Sequence, residues 1–368
     1  SDTVPGEISL AVDAWQADNE DAYFAATGSF IEACETFWKK KTVLIGFVRL
    51  QNAHNGKRLG QALFRIVRTF GLREKGFGWV TCDNASNKRY HDDRIRIPAS
   101  PLHADLLRQD FEGDYGTCLA HIINLATQAF IKAYSKAKCY NPHTPDEHVP
   151  DLTAAVRDVI GLVRAICVKE RSSAKRKEIF RQIQAEAKSD KPLQLILDMV
   201  IRWSSTYAML YRGYNLRDFV NEFVRRIAHD EKDAKKSAEL ERLALTPAEW
   251  ARVKAFVKLL RYADAAQQAF SSDEGPSMHL AIPALESIHR NWEEQAEKIS
   301  NIEFKPALDA GRAKIEEYYN KVTDSEAYLF CMLLDPSQKL AYFNVHWDAE
   351  LQLEVLAAAE KIVRFLNL

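Results

Sequence analysis

Two aspartates stand at the ends of predicted strands, a placement that suggests metal binding. Asp13 closes the partly alternating apolar segment 8–13, and Asp83 follows the apolar run 77–82. Turn-forming residues come next at 84–86, so this strand delivers Asp83 to its C-terminal tip. Two carboxylates at neighbouring strand ends could hold Mg²⁺, or two ions ~3.5–4 Å apart that clamp the attacking and leaving oxygens of a phosphodiester. The carboxyl groups are then expected about 4–7 Å apart. On spacing alone, the alternative is that both aspartates cap the turns that follow.

The elements that must position these aspartates predict an α/β fold. Three strands are expected at 8–13, 23–31 and 42–50, then a helix at 58–70 with apolar residues at helical spacing, and a fourth strand at 77–82. Beyond residue 119 helical periodicity dominates. Helices are predicted at 122–136, 152–169, 174–188, 203–211, 216–227, 247–270, 282–299, 315–322 and 349–365. We therefore expect a mixed sheet with flanking helices, interrupted or extended by a large all-α region.

Composition narrows the function classes. The formal net charge of −1 predicts no overall positive potential that would attract DNA or an anionic membrane. Any site that binds a polyanion must therefore be a local patch of positive charge. The six cysteines have no paired spacing, which indicates reduced thiols in an intracellular chain. No apolar window is long enough for a membrane span. Phosphate-binding glycine loops and dinucleotide fingerprints do not occur, so no nucleotide cofactor is expected.

Two further groups of residues could carry chemistry. Cys118 and His121 lie three residues apart on one predicted helix face, as in half a zinc site, but no second pair is visible and a packed, hydrogen-bonded pair is the alternative. The basic stretch 169–177 could contact phosphates or form a solvated helix face. Trp203, on an apolar helix, would be assigned to the core from its position alone.

Six segments, taken together and in order, resemble the hAT family of transposases. They are 8–15 (ISLAVDAW), 44–47 with 54–56 (LIGF, HNG), 81–87 (TCDNASN), 118–125 (CLAHIINL), 202–210 (RWSSTYAML) and 334–339 (LDPSQK). The match at 81–87 to the family's second-aspartate motif is especially close. Because the segments span nearly the whole chain, their combination is much more specific than any one of them.

This resemblance implies an RNase H-like mixed sheet interrupted by a helical insertion, with the core at 1–138 and the insertion region at 139–368. It also implies DNA cleavage and strand transfer by two-metal-ion chemistry, in a nuclear protein acting on transposon ends. Asp13 and Asp83 would be the first two acids of a metal-binding triad for Mg²⁺ or Mn²⁺. Cys118 and His121 would lie at the junction of core and insertion, and Arg202 and Trp203 near the DNA end, where the indole could stack on a flipped base.

Departures from the family pattern leave a second hypothesis open. The family's third acid belongs to a C-terminal motif in the dimerisation region that does not occur here, and neither Glu354 nor Glu360 fits that motif. The cysteine and histidine pairs of a BED zinc finger are also absent. We therefore expect this chain to be inactive alone, with any homo-oligomer formed through that missing region. The alternative is a decayed or domesticated relative that binds DNA or protein as a scaffold; a third option is a generic helical interaction protein.

Overall fold

The protein is described here by a computed structural model that covers residues 6, 8–16, 21–33, 37–50, 56–72, 77–82, 116–117, 119–144, 147–199, 204–270, 277–323 and 326–365. These residues belong to two compact units. The first, the sheet unit, takes its residues from 1–121 and 336–368. The second, the helical unit, takes them from 122–335. The boundary predicted after residue 138 stays a prediction.

A mixed five-stranded sheet forms the centre of the sheet unit. Its strands are β1 (Ile8–Gln16), β2 (Ala22–Ala33), β3 (Trp38–Leu50), β4 (Phe77–Cys82) and β5 (Gly116–Thr117). They lie in the order β3-β2-β1-β4-β5, in which β1, β2 and β3 are antiparallel neighbours whereas β4 and β5 run parallel to β1. The predicted mixed sheet is therefore present.

One face of this sheet carries the core of the unit. Alternate residues of β1 are buried, and they pack with Phe24 and Ile45 against α1 (Gly56–Thr69). The helix contributes its apolar stripe of Leu59, Leu63, Ile66 and Val67. At Gly46, a Cβ atom would lie 2.3 Å from the Ile66 side chain, so glycine allows α1 to approach β3 closely. The alternation and the helical period read from the sequence thus identify the same core.

The other regular elements of the described chain are helices. They are α2 (Leu119–Tyr134), α3 (Val159–Arg171), α4 (Ala174–Glu186), α5 (Ser205–Asn215), α6 (Arg217–His229), α7 (Ala234–Glu241), α8 (Pro247–Phe270), α9 (Ala281–Ala296), α10 (Lys305–Thr323), α11 (Glu326–Leu334), α12 (Ala341–His346) and α13 (Ala349–Phe365). Short 3₁₀ turns precede α9 and α10. No described helix combines the length and apolar character needed to cross a membrane.

Aromatic packing holds the helical unit together. Phe130 of α2 stacks on Trp292 of α9, with ring centroids 5.4 Å apart, and meets Phe256 of α8 edge to face at 5.7 Å. The Trp292 indole is completely buried and donates a hydrogen bond to the Leu259 carbonyl at 3.0 Å. Satisfying the indole N–H in this way removes the penalty of burying it.

Two predicted helix starts were wrong. The helix expected from residue 315 begins ten residues earlier, at Lys305. The helix expected from residue 152 begins instead at Val159, because Asp158 is its N-cap. The Asp158 carboxylate accepts hydrogen bonds from the backbone N–H groups of Ile160 and Gly161, both at 3.0 Å. An N-cap residue has extended backbone dihedral angles, so the helix cannot continue toward residue 152.

Candidate active site

Asp13 lies on the solvent-facing side of the central strand. Along β1, Ile8, Leu10 and Val12 are buried in the core, so the alternate residues, including Asp13 and Trp15, point to the other face. The Asp13 side chain is exposed. A carboxylate on a strand that is paired on both sides has a rigid backbone, which is what a metal ligand needs.

The neighbouring parallel strand ends next to Asp13. Val12 of β1 is the register partner of Cys82, the last residue of β4. Asp83, the next residue in the sequence, lies outside the described part of the chain, as does Cys118. The distance between the two aspartates therefore stays a prediction. Among the residues that the structure does describe, no group of three histidine, cysteine, aspartate or glutamate side chains is arranged to hold a metal ion.

An aromatic cluster that the sequence analysis missed lies beside Asp13. Trp15 stacks on Tyr23 at 6.0 Å between ring centroids, Tyr23 stacks on Phe47 at 5.4 Å, and Trp15 and Phe47 are 5.7 Å apart. Asp13 and Phe47 are both register partners of Ala25, so the cluster and the carboxylate share one face. Strand alternation alone would have placed Trp15 on the Asp13 face, whereas Tyr23 and Phe47 join it only through the register of the sheet.

His121 lies in the first turn of α2 and is half-buried. The helix begins at Leu119, three residues before the predicted start. Because Cys118 is outside the described residues, the structure does not test whether the two side chains meet.

Arg202 and Trp203 also lie outside the described residues, but hydrogen bonds join the chain on either side of them. Ser205 Oγ donates a hydrogen bond to the Met199 carbonyl at 2.9 Å and accepts one from the Met199 N–H at 3.1 Å. Thr206 Oγ1 donates to Asp198 at 2.9 Å. These bonds fix the two ends of the segment that contains the predicted DNA contacts.

A buried ion pair holds Asp198, the residue that accepts the hydrogen bond from Thr206. Arg164 of α3 donates two parallel hydrogen bonds to Asp198, at 2.7 and 2.8 Å, and both side chains are at most 1% exposed. Burial alone would lower the pKa of Arg164, but the hydrogen bonds and charge of Asp198 outweigh it and raise the pKa. Arg164 also donates to the carbonyls of Ala137 and Lys138. The guanidinium thus joins three separate stretches of the helical unit.

The basic stretch 169–177 covers the end of α3 and the start of α4. Arg176 donates to the Ser172 hydroxyl at 2.9 Å, and the neighbouring Lys175 is exposed. Close by, Lys177, Phe180 and Leu193 line a shallow cleft of about 450 Å³. Both interpretations of this stretch, as a phosphate contact or as a solvated helix face, remain predictions.

Comparisons with known proteins agree on one family. Residues 11–100 match the model of the ZBED1 RNase-like domain, and residues 116–259 match that of the ZBED1 RNase-like helical domain. A putative transcriptional regulator, tpeD, of Talaromyces stipitatus is 23% identical over 97% of this chain. Zinc finger BED domain-containing protein RICESLEEPER 2 of Oryza sativa subsp. japonica and a putative AC transposase of Zea mays are each 24% identical over 56% of it. The chain spans only 39%, 25% and 22% of the lengths of these three relatives.

Proposed function

Because the chain belongs to the hAT family of transposase-like proteins, we propose that it is part of the catalytic region of a DNA transposase, with an RNase H-like sheet. The observation that supports this most strongly is the position of Asp13. It lies exposed on the central strand, one residue beyond the register pair that joins β1 to the end of β4. The strand order, with three antiparallel strands followed by parallel ones and then a helical unit, supports the same assignment.

In this proposal Asp13 and Asp83 are the metal-binding residues. Both are carboxylates, the oxygen ligands that Mg²⁺ and Mn²⁺ prefer. When bound, the metal would polarise the scissile phosphate and activate water or a 3′-hydroxyl for attack. The role of the chain is to hold Asp13 on a strand that is paired on both sides, with the aromatic cluster on the same face.

Arg202, Trp203, His121 and Cys118 are proposed to act on the DNA end. An arginine can pair with a phosphate, and a tryptophan can stack on an unpaired base. The hydrogen bonds that close the segment at Met199 and Ser205 support this role, because they give residues 200–204 fixed ends. A protein with this function would work in the nucleus, where its DNA substrate is, and could do so as a homo-oligomer.

Nicking of a supercoiled plasmid in Mn²⁺ tests the proposal. We expect the chain, supplied with the family's C-terminal acidic segment in trans, to nick DNA, and Asp13→Asn or Asp83→Asn to reduce the rate at least about 100-fold, since each removes a metal ligand. Asp230→Asn is the matched control, because it makes the same change at an exposed aspartate of the helical unit.

Nicking that persists in Asp13→Asn would contradict the catalytic proposal. Plasmid binding without nicking in Mn²⁺ would support the alternative, a transposase-derived scaffold without catalysis.

A further inference from the structure

The β2–β3 hairpin extends beyond the rest of the sheet. β1 pairs with β2 from Gln16↔Ala22 to Ser9↔Ser29, whereas β2 and β3 remain paired as far as Ala33↔Trp38. Among the strands that the structure describes, residues 31–33 and 38–40 therefore pair only with each other. We call these six residues the ribbon.

The ribbon exposes an aromatic side chain to solvent. Trp38 is 79% exposed, and the preceding Phe37 is 58% exposed. Ile31, on the opposite strand, is also exposed. A two-stranded ribbon gains little stability from such residues, because they bury almost no apolar surface. Adjoining exposed aromatic residues of this kind mark a surface that contacts another molecule.

The same ribbon carries positive charge. Lys39, Lys40 and Lys41 follow Trp38 directly, and Lys41 is paired with Glu32 at 2.7 Å. Lys39 and Lys40 are exposed and have no carboxylate partner in the described part of the chain. Since the whole chain is close to neutral, these lysines give the ribbon a local positive charge. Lys40 lies on the same face as Trp38, and Lys39 lies on the opposite face.

Protection of a sheet edge is the competing explanation for the lysines. β3 is the outer strand of the sheet, and lysines on such strands prevent pairing with other chains. This explanation accounts for Lys39 and Lys40 but not for Trp38, because a bare tryptophan on an edge strand favours association.

We propose that the ribbon binds a groove of double-stranded DNA, with Lys40 on a phosphate and Trp38 against the sugars and base edges. The major groove, ~12 Å wide, admits a two-stranded ribbon. Positive charge beside an aromatic side chain suits DNA, whereas a protein partner would need a larger apolar surface. The inference rests on the proposed function only in taking DNA as the substrate.

The ribbon and Asp13 lie on the same face of the sheet, at a separation that one DNA duplex could span. Trp38 and Lys40 pair with Ala33 and Ile31, which alternate along β2 with Ala25, the partner of Asp13, so all of them share one face. Ala25 and Ala33 are eight residues apart, or about 26 Å at ~3.3 Å per residue. DNA that lies along this face with a phosphate at Asp13 would reach the ribbon roughly eight base pairs away, at ~3.4 Å per base pair. The ribbon would thus hold the duplex flanking the cleavage site.

Fluorescence anisotropy with a labelled 30-base-pair duplex, in EDTA and over a range of NaCl concentrations, tests the inference. We expect Lys40→Ala to weaken binding about 3-fold or more and to reduce the slope of log K against log salt by about 0.9, the value for one phosphate contact. Trp38→Ala should weaken binding about 5-fold without changing the slope. Lys235→Ala, which removes one exposed lysine from α7, is the matched control and should leave affinity unchanged. Unchanged melting temperatures would show that the ribbon variants are folded.

Three results would overturn the inference: no binding by the parent chain, parental affinity in the ribbon variants, or an equal loss in the control. Because EDTA removes the metal, this assay is independent of nicking. Asp13-dependent nicking with unaffected ribbon variants would reject the ribbon and keep the proposed function. Weaker DNA binding by the ribbon variants, without any Asp13-dependent nicking, would keep the ribbon and reject the proposed catalytic function.

Discussion

Glu170 shows how a single buried acid can set the pH dependence of stability. This residue of α3 has no exposed surface, and neither carboxylate oxygen has a hydrogen-bond partner among the described residues. Burial therefore raises the pKa of Glu170, since the charged form loses its hydration without gaining a partner. The protonated form is the one that the fold accommodates.

Glu170→Gln should change the stability of the protein in a pH-dependent way. The folded state holds the proton of Glu170 more tightly than the unfolded state, whose pKa is about 4.3. The stability that protonated Glu170 provides is fully present below that value and is lost as pH rises through the raised folded pKa. The free energy of unfolding of Glu170→Gln, relative to the parent, should therefore increase with pH above about 4.3.

Urea unfolding over a pH series measures this difference, with Glu178→Gln as the control at an exposed acid on α4. A difference that stays constant with pH would contradict the assignment of Glu170 as a carboxyl group held neutral by burial.

At the scale of elements, the packing of α9 on α10 depends on one glycine. A Cβ atom at Gly311 would lie 2.5 Å from the Trp292 ring, which is itself fully buried. The indole cannot retreat easily, because its N–H is bonded to Leu259 and its ring stacks on Phe130. The closeness of these two helices is therefore set by the missing side chain.

Gly311→Ala should destabilise the protein by about 1–3 kcal/mol, because overpacking forces the helices apart. In an unobstructed helix the same change would stabilise by about 0.5–1 kcal/mol, so the sign distinguishes the two cases. Ala313→Gly, at an exposed position of the same helix, controls for helix propensity alone. Calorimetry of both variants checks the prediction, and a Gly311→Ala protein more stable than its parent would refute it.

Element boundaries were predictable where a local pattern defines them. The start of β1, the helix α1 and the long helix α8 follow directly from alternation and helical spacing. The predicted end of β1 at Asp13 was wrong, because pairing with β2 continues the strand to Gln16. The first residues of β3 could not be predicted in this way, because Trp38 and the lysines after it lack an alternating apolar pattern. Their strand conformation comes from pairing with β2, which a reading of one segment at a time does not reveal. The ribbon was missed for that reason.

At the scale of the whole molecule, the sequence identified the family better than the site. The motifs around Asp13 and Asp83, and the segment containing Trp203, pointed to the hAT family, and the family models and relatives confirm it. The geometry of the site was less accessible. Asp13 could be placed on a strand from its neighbours, but the aromatic cluster beside it joins residues from three strands, and their register is a property of the assembled sheet.

The central claim is that Asp13 and Asp83 bind the same divalent ion. Calorimetric titration of Mn²⁺ into the parent chain, Asp13→Asn, Asp83→Asn and the double variant tests it most directly. If the carboxylates share the ion, each single variant should lose at least about 10-fold in affinity, and the double variant should lose much less than the product of the two. Single variants that bind Mn²⁺ as tightly as the parent, or losses that simply multiply, would contradict a shared metal site.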